Sequence, residues 1–173
     1  QPTGMWAGTF HSVGARLLRG TAQLVGRGPA FTIYDENDSE AVVKRLMERH
    51  RISPKQYAVR AVRGAISDAK NALVSSDEFA ALARDPFAQA VAQVYADYEP
   101  TLRRANAADF DDLLLLPVRI LEGHPAELER LRARFRYLLV DEYQDTNRAQ
   151  YRLVQLLGGG HGNVCVVGDD DQS

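Results

Sequence analysis

The chain has 173 residues, is 45% hydrophobic and 25% charged, and carries a formal net charge of −2, which fits a globular protein with one good core and excludes a low-complexity or fibrous chain. No apolar run approaches the length of a membrane span, the N-terminus lacks the basic and apolar regions of a signal peptide, and the single Cys165 excludes an intrachain disulfide and points to a reducing cytoplasm. The charge is uneven: residues 1–72 hold an excess of Lys and Arg, and residues 73–173 an excess of Asp and Glu, as expected of a part that meets a polyanion and a part that meets metal, or simply of two solvated faces.

In chain order, Gln1-Pro2-Thr3-Gly4 has no initiator Met, and an internal piece of a longer protein is expected. Met5 to Gly8 reads as a short buried strand, followed by a helix over about 13–26 with Val13, Leu17 and Leu18 inward and Ser12 as N-cap. A strand running into a helix N-terminus presents free N–H groups, so Thr9 and His11 are candidates for a phosphate-backbone contact, against the plainer reading of a cap and a core histidine. Gly26 to Pro29 breaks the helix, and Phe31 to Tyr34 is an extended link. Residues from about 24 to 106 read as almost purely helical, with no strand-pairing signal. Stripes recur over 39–50 (Val42, Val43, Leu46, Met47), 58–73 (Val62, Ile66, Ala69) and 86–106 (Val91, Val94, Tyr95, Tyr98), and Ser75 to Glu78 is a capping pattern. Lys44, Arg45, Arg49, Arg60, Arg63 and Lys70 lie off these stripes and are either duplex-phosphate contacts or ordinary helix surface. The expected architecture is a helical module set between α/β segments.

Asp109 to Asp112 precede Leu113 to Leu116, and helix capping accounts for the acids. Phe110 among them is either a hydrophobic staple or an exposed platform for a base. Pro117 is expected to kink or restart the helix. Residues 125–135 form another amphipathic helix.

Tyr137 to Val140 has no polar alternation and reads as a fully buried strand. Asp141 and Glu142 fall at its end, where open parallel α/β sheets bind ligands. Two adjacent carboxylates there suit a hard cation and a water proton; the alternative is an acidic turn that solvates the strand end. A helix over 146–157 and a second buried strand over 163–167 complete a βαβ unit with parallel strands, which brings Asp141 and Glu142 near Asp169 to Gln172. Cys165, mid-strand, reads as a small core residue.

Four strings stand in order: Gly8-Thr9-Phe10-His11-Ser12, Asp109-Phe110-Asp111-Asp112-Leu113-Leu114, Asp141-Glu142-Tyr143-Gln144-Asp145 and Val167-Gly168-Asp169-Asp170-Asp171-Gln172-Ser173. Together they closely resemble the motor core of superfamily 1 DNA helicases of the UvrD/Rep/PcrA type, over essentially the whole chain. The resemblance implies an α/β fold: a partial RecA-like parallel sheet of the P-loop NTPase type (residues 1–23 and 107–173) with a large all-helical insertion (24–106). It implies ATP and Mg²⁺ as cofactors, with Asp141 holding the metal, Glu142 as general base, Gln172 as γ-phosphate sensor and Gln144 as a coupling residue of the same nucleotide site. It implies that Thr9 and His11 touch single-stranded DNA and that Phe110 stacks on a base. The partners implied are single-stranded DNA, the single-strand/duplex junction and repair proteins, with no membrane and a monomeric fragment. Movement from 3′ to 5′ and a role in repair or replication restart follow from the resemblance alone. These residues contain no Gly-x-x-x-x-Gly-Lys-Ser/Thr loop, and by resemblance the second motor domain with its arginine fingers is also missing, so the chain alone is expected neither to hydrolyse ATP appreciably nor to unwind DNA. Two other functions fit less well: a helicase-like binding module without chemistry, which need not keep Asp141, Glu142 and Gln172, and a metal-dependent nuclease built on the acidic rim.

Overall fold

The structure is a computed structural model that describes residues 4–169. The sequence-based assignments of Asp170, Asp171 and Gln172 lie outside the described residues.

Eight α-helices, two 3₁₀ turns and four short strands make up the described chain. Helix α1 (Phe10–Thr21) starts three residues earlier than the hydrophobic stripe suggests, because Thr9, and not Ser12, is the N-cap and its side chain accepts from the Ser12 N–H. A 3₁₀ turn (Ala22–Val25) follows and closes on Gly26. Strand β1 (Thr32–Ile33) leads into α2 (Glu36–Arg49), whose start is fixed by a reciprocal capping box between Asp35 and Asp38. Ser53 and Pro54 open a turn and not a helix, since Gln56 and Tyr57 both donate back to the Ser53 carbonyl; α3 (Val59–Asn71) begins later. The short α4 (Ser76–Leu82) has the expected Ser75–Glu78 capping box, and α5 (Pro86–Arg104) starts on Asp85 with Pro86 in its first turn. Strand β2 (Ala107–Ala108), α6 (Asp112–Gly123), α7 (Pro125–Arg134), strand β3 (Leu138–Val140), α8 (Arg148–Gly158) and strand β4 (Val164–Val166) complete the order.

Three apolar clusters hold these elements. One joins the inward stripes of α2, α3 and α5, from Val42 and Leu46 to Tyr95, Tyr98 and Leu102. A second joins α1, α6, α7 and α8 through Leu17, Val118, Leu131 and Leu153. The third packs Leu18, Phe31, Leu113 and Ile120 around the start of α6. Helix α6 is central to the last two. It is buried from Leu113 to Leu116, because α1, α8 and α3 each cover part of it. It runs unbroken through Pro117; proline has no N–H, so the Leu113 carbonyl lacks its usual helical donor. Gly14 of α1 lies against that carbonyl so closely that a β-carbon there would sit 2.0 Å from the oxygen.

The strands depart from the sequence reading in several ways. Strand β1 pairs in parallel with β2, Thr32 opposite Ala107, so the segment read as a strandless helical stretch is entered and left through a small sheet. Two-residue strands carry too little alternation to show a period of two. Met5 to Gly8 forms no strand among the described residues, and Met5 is exposed; the segment is held instead by Trp6, edge-on to Phe135 at 4.9 Å. Strands β3 and β4 do pair in parallel, Leu138 opposite Val164, yet they are not fully buried. Leu139 is 75% exposed, Tyr137 81%, and Cys165 is exposed rather than a core residue. The described helices cover one face of this pair, through Leu138, and leave the other open. Among the described residues the chain is mostly helical, with two separate two-stranded parallel sheets, so of the expected architecture the parallel pairing is what the structure contains. Among the described residues no helix is long and apolar enough to cross a membrane.

Candidate functional site

The acidic rim is built by the β3–β4 pairing. Beyond the strands, Val167 donates to the Val140 carbonyl at 2.8 Å and Tyr143 to the Val167 carbonyl at 3.0 Å, which aligns Asp141 and Glu142 with Gly168 and Asp169. A 3₁₀ turn (Tyr143–Asp145) follows, and Glu142 just before it adopts a left-handed backbone at φ 52°. For a residue with a long side chain that conformation is uncommon and costs on the order of 1 kcal/mol or more. Gln144 connects the two sides. Its amide donates to Glu142 Oε2 at 2.6 Å, and its carbonyl accepts from the Asp169 N–H at 3.2 Å. Asp141 is exposed, and its Oδ1 accepts from the Glu142 N–H at 3.0 Å. An exposed hard-oxygen ligand at a strand end fits Mg²⁺, which is commonly held by one or two carboxylates with the remaining positions left to water and phosphate. Among the described residues no group of three or more His, Cys, Asp or Glu converges on one point.

A second locus forms at the junction of α1 and α6. His11, in the first turn of α1, and Phe110, before α6, are far apart in sequence, yet their rings meet edge to face with centroids 5.8 Å apart. Phe110 is 53% exposed, so it is no staple. It forms a wall of a cleft of about 280 Å³ shared with Tyr34, Arg63, Ser67, Tyr98 and Asp111. Thr9 is close by in sequence, but its hydroxyl is occupied in capping α1.

Beneath Phe110 lies a charged cluster that the sequence did not announce. Lys70 of α3, read from the sequence as a surface base, is fully buried. Its Nζ lies 2.7 Å and 2.8 Å from the two Asp109 oxygens and 2.8 Å from Asp112 Oδ1. Arg27 donates to Asp112 at 3.1 Å and to the Ala107 carbonyl at 2.8 Å, and the Tyr98 hydroxyl donates to Asp109 at 3.0 Å. Capping is therefore only part of the role of these acids: Asp109 Oδ1 does accept from the Asp112 N–H, but both carboxylates chiefly neutralise buried cations. Burial alone lowers the affinity of Lys70 for its proton, but Asp109 and Asp112 more than reverse this and hold its pKa above the ordinary value. Burial works to raise Asp109, yet Lys70 holds it below the usual range. Asp112 is pushed up to about 6 by burial and by the Asp109 charge, despite Lys70 and Arg27. Of the other basic residues on the helical stretch, Arg60 pairs with Glu40, Arg63 with Glu36 and Arg49 with Asp97, while Lys44 and Arg45 are exposed.

The structure thus brings together Asp141, Glu142 and Gln144, and separately His11 and Phe110. A signal for Lys70 was present only as a lysine at helical spacing beside a buried stripe, with its acid partners 39 or more residues away.

Comparison with known proteins gives the family. Residues 2–173 match the family model of the UvrD/REP helicase N-terminal domain. The chain is 41% identical over 169 residues to the ATP-dependent DNA helicase PcrA of Bacillus subtilis, and 43% identical over 169 residues to the PcrA proteins of Staphylococcus epidermidis and Staphylococcus aureus. Each match covers 98% of this chain, and the chain spans 23% of the length of these relatives. The chain belongs to the UvrD/REP helicase N-terminal domain family.

Proposed function

We propose that this chain is part of an ATP-dependent DNA helicase that couples Mg-ATP hydrolysis to movement on single-stranded DNA and to duplex unwinding, in repair or replication restart. The division into a RecA-like motor part (1–23 and 107–173) and an inserted helical part (24–106) belongs to this reading; the separate apolar cluster of α2, α3 and α5 supports it. The observation that carries the DNA side is the exposed Phe110 ring meeting His11 across 99 positions of sequence. An accessible aromatic face with a polar ring at its edge can stack a base without reading its identity. Thr9 contributes by capping and so starting α1, and a helix N-terminus favours a phosphate.

On the nucleotide side, Asp141 is the residue for Mg²⁺ and Glu142 the base that takes a proton from the attacking water. The ion, when bound, neutralises phosphate charge. Gln144 restrains Glu142 by a hydrogen bond to one carboxylate oxygen and leaves the other for the water. The role of Gln172 as phosphate sensor rests on the resemblance. The intact Asp141–Glu142–Gln144 arrangement favours this reading over a binding module without chemistry.

The test is the affinity of the chain for fluorescent oligo(dT), measured by anisotropy at stated low salt. Loss of one stacked base is worth about 1–3 kcal/mol, so Phe110→Ala is expected to weaken binding by roughly 5-fold to 150-fold, and His11→Ala by less. Unchanged affinity in Phe110→Ala would sink the DNA-contact reading.

A further inference from the structure

Asn71, the last residue of α3, hydrogen-bonds to both loci. Its Nδ2 donates to Asp111 Oδ1 at 2.8 Å and to the Ser67 carbonyl at 3.0 Å. Its Oδ1 accepts from Asn147 Nδ2 at 2.7 Å. Asp111 directly follows Phe110. Asn147 is the N-cap of α8, with its own Oδ1 taken by the Gln150 N–H, and it lies two residues beyond the 3₁₀ turn (Tyr143–Asp145) that carries Gln144. The relay thus runs from the base-stacking residue, through three polar side chains, to the segment that positions Glu142.

The chemistry fixes the direction of every bond. The Ser67 carbonyl only accepts, as does the Asp111 carboxylate when ionised, so the Asn71 amide nitrogen faces them and its oxygen faces Asn147. The Asn147 oxygen is held by a backbone donor, so only its nitrogen can face Asn71. Asparagine provides both a donor and an acceptor on so short a side chain, and a flip would cost Asn71 three partners and Asn147 two. All three residues are partly buried, where such bonds are less weakened by water than on an open surface. Burial and the Asp109 charge raise the pKa of Asp111, while the Asn71 amide favours its ionised form.

We propose that Asn71 is a positioning residue that carries the occupancy of the His11–Phe110 edge by single-stranded DNA to the Gln144–Asn147 turn behind Glu142. The proposal rests on the reading of His11 and Phe110 as a DNA contact. It gives the loop at Phe110 and the turn at Gln144 a shared connection through α3, so a displacement of Asp111 on stacking changes the restraint on Glu142.

The experiment is a titration of the isotope-labelled 173-residue chain with oligo(dT), followed by amide ¹H–¹⁵N correlation spectra. In the unaltered chain the amides of His11 and Phe110 are expected to shift, and those of Gln144, Asp145 and Thr146 to shift with the same midpoint. Two variants cut the relay. Asn71→Ala removes its centre. Asn147→Ser keeps an N-cap for α8 but cannot reach Asn71, so it carries the test if Asn71→Ala fails to fold. In either variant the His11 and Phe110 shifts are expected to persist while those at 144–146 fall at least fivefold. The proposal is overturned if residues 144–146 shift equally in a folded variant, or stay still in the unaltered chain while His11 and Phe110 shift. If neither locus responds, the DNA-contact reading itself fails and the proposal falls with it.

Discussion

Lys70 keeps a full positive charge where water does not reach it, which is tolerable only because two carboxylates and the Tyr98 ring, 5.3 Å from Nζ, surround it. The raised lysine pKa means that its contribution to stability is present at all pH values below the ordinary 10.5 and is lost only as pH rises through the folded-state value. Asp112 has the opposite sign of linkage. Its folded-state value of about 6 exceeds the ordinary 3.8, so between these values the folded chain binds a proton that the unfolded chain has lost, and ionisation there costs stability. Lys70→Met removes the cation and leaves Asp109 and Asp112 facing each other. The expected loss at pH 7 is about 3–5 kcal/mol, and it should be smaller at pH 5, where Asp112 takes up a proton. Urea unfolding at both pH values measures this; equal losses would refute the uptake of a proton by Asp112 between them.

At the scale of elements, the crossing of α1 over α6 depends on a glycine meeting a carbonyl that a proline has released. Gly14→Ala would place a methyl group against the Leu113 carbonyl, and neither backbone can yield without moving a helix; a loss of roughly 1–3 kcal/mol is expected. Gly20, on the same helix, has open space around its Cα, so Gly20→Ala is expected to gain up to about 1 kcal/mol from helix propensity. Opposite signs in two melting curves would verify that packing, and not propensity, governs Gly14. The helices were legible because their stripes and caps are local: Asp35, Ser75 and Asp85 each mark a start by chemistry within three residues. The rim was legible too, since a short apolar run ending in acids is a local pattern. Lys70 and Asn71 were not, because their partners are distant in sequence and their own surroundings read as ordinary helix. Leu139 and Cys165 were read as buried because an apolar run says what a strand can bury, not which face has a neighbour.

Across the whole molecule, part of the uneven charge of the sequence is resolved into pairs. Arg60 and Arg63 meet acids of α2, and Lys70 meets Asp109 and Asp112, so the basic first half presents less free cation than its composition suggests. The parallel pairing of β1 with β2 remains as a feature with reach beyond the site. It sets the two ends of a long helical stretch side by side, Thr32 against Ala107 and Ile33 against Ala108. That stretch has its own apolar cluster, made from helices close together in sequence. Contacts of short sequence separation form early, and once they exist the closure of the strands no longer pays for a long flexible loop. Pulse-labelled hydrogen exchange during refolding is expected to protect α2, α3 and α5 before the Thr32 and Tyr34 amides, which donate to the Asn106 and Ala108 carbonyls; simultaneous protection would contradict this order. The two-stranded sheet would then act as a clasp that shuts last, and Phe110, two residues beyond β2, would take its place only once the helical stretch is complete.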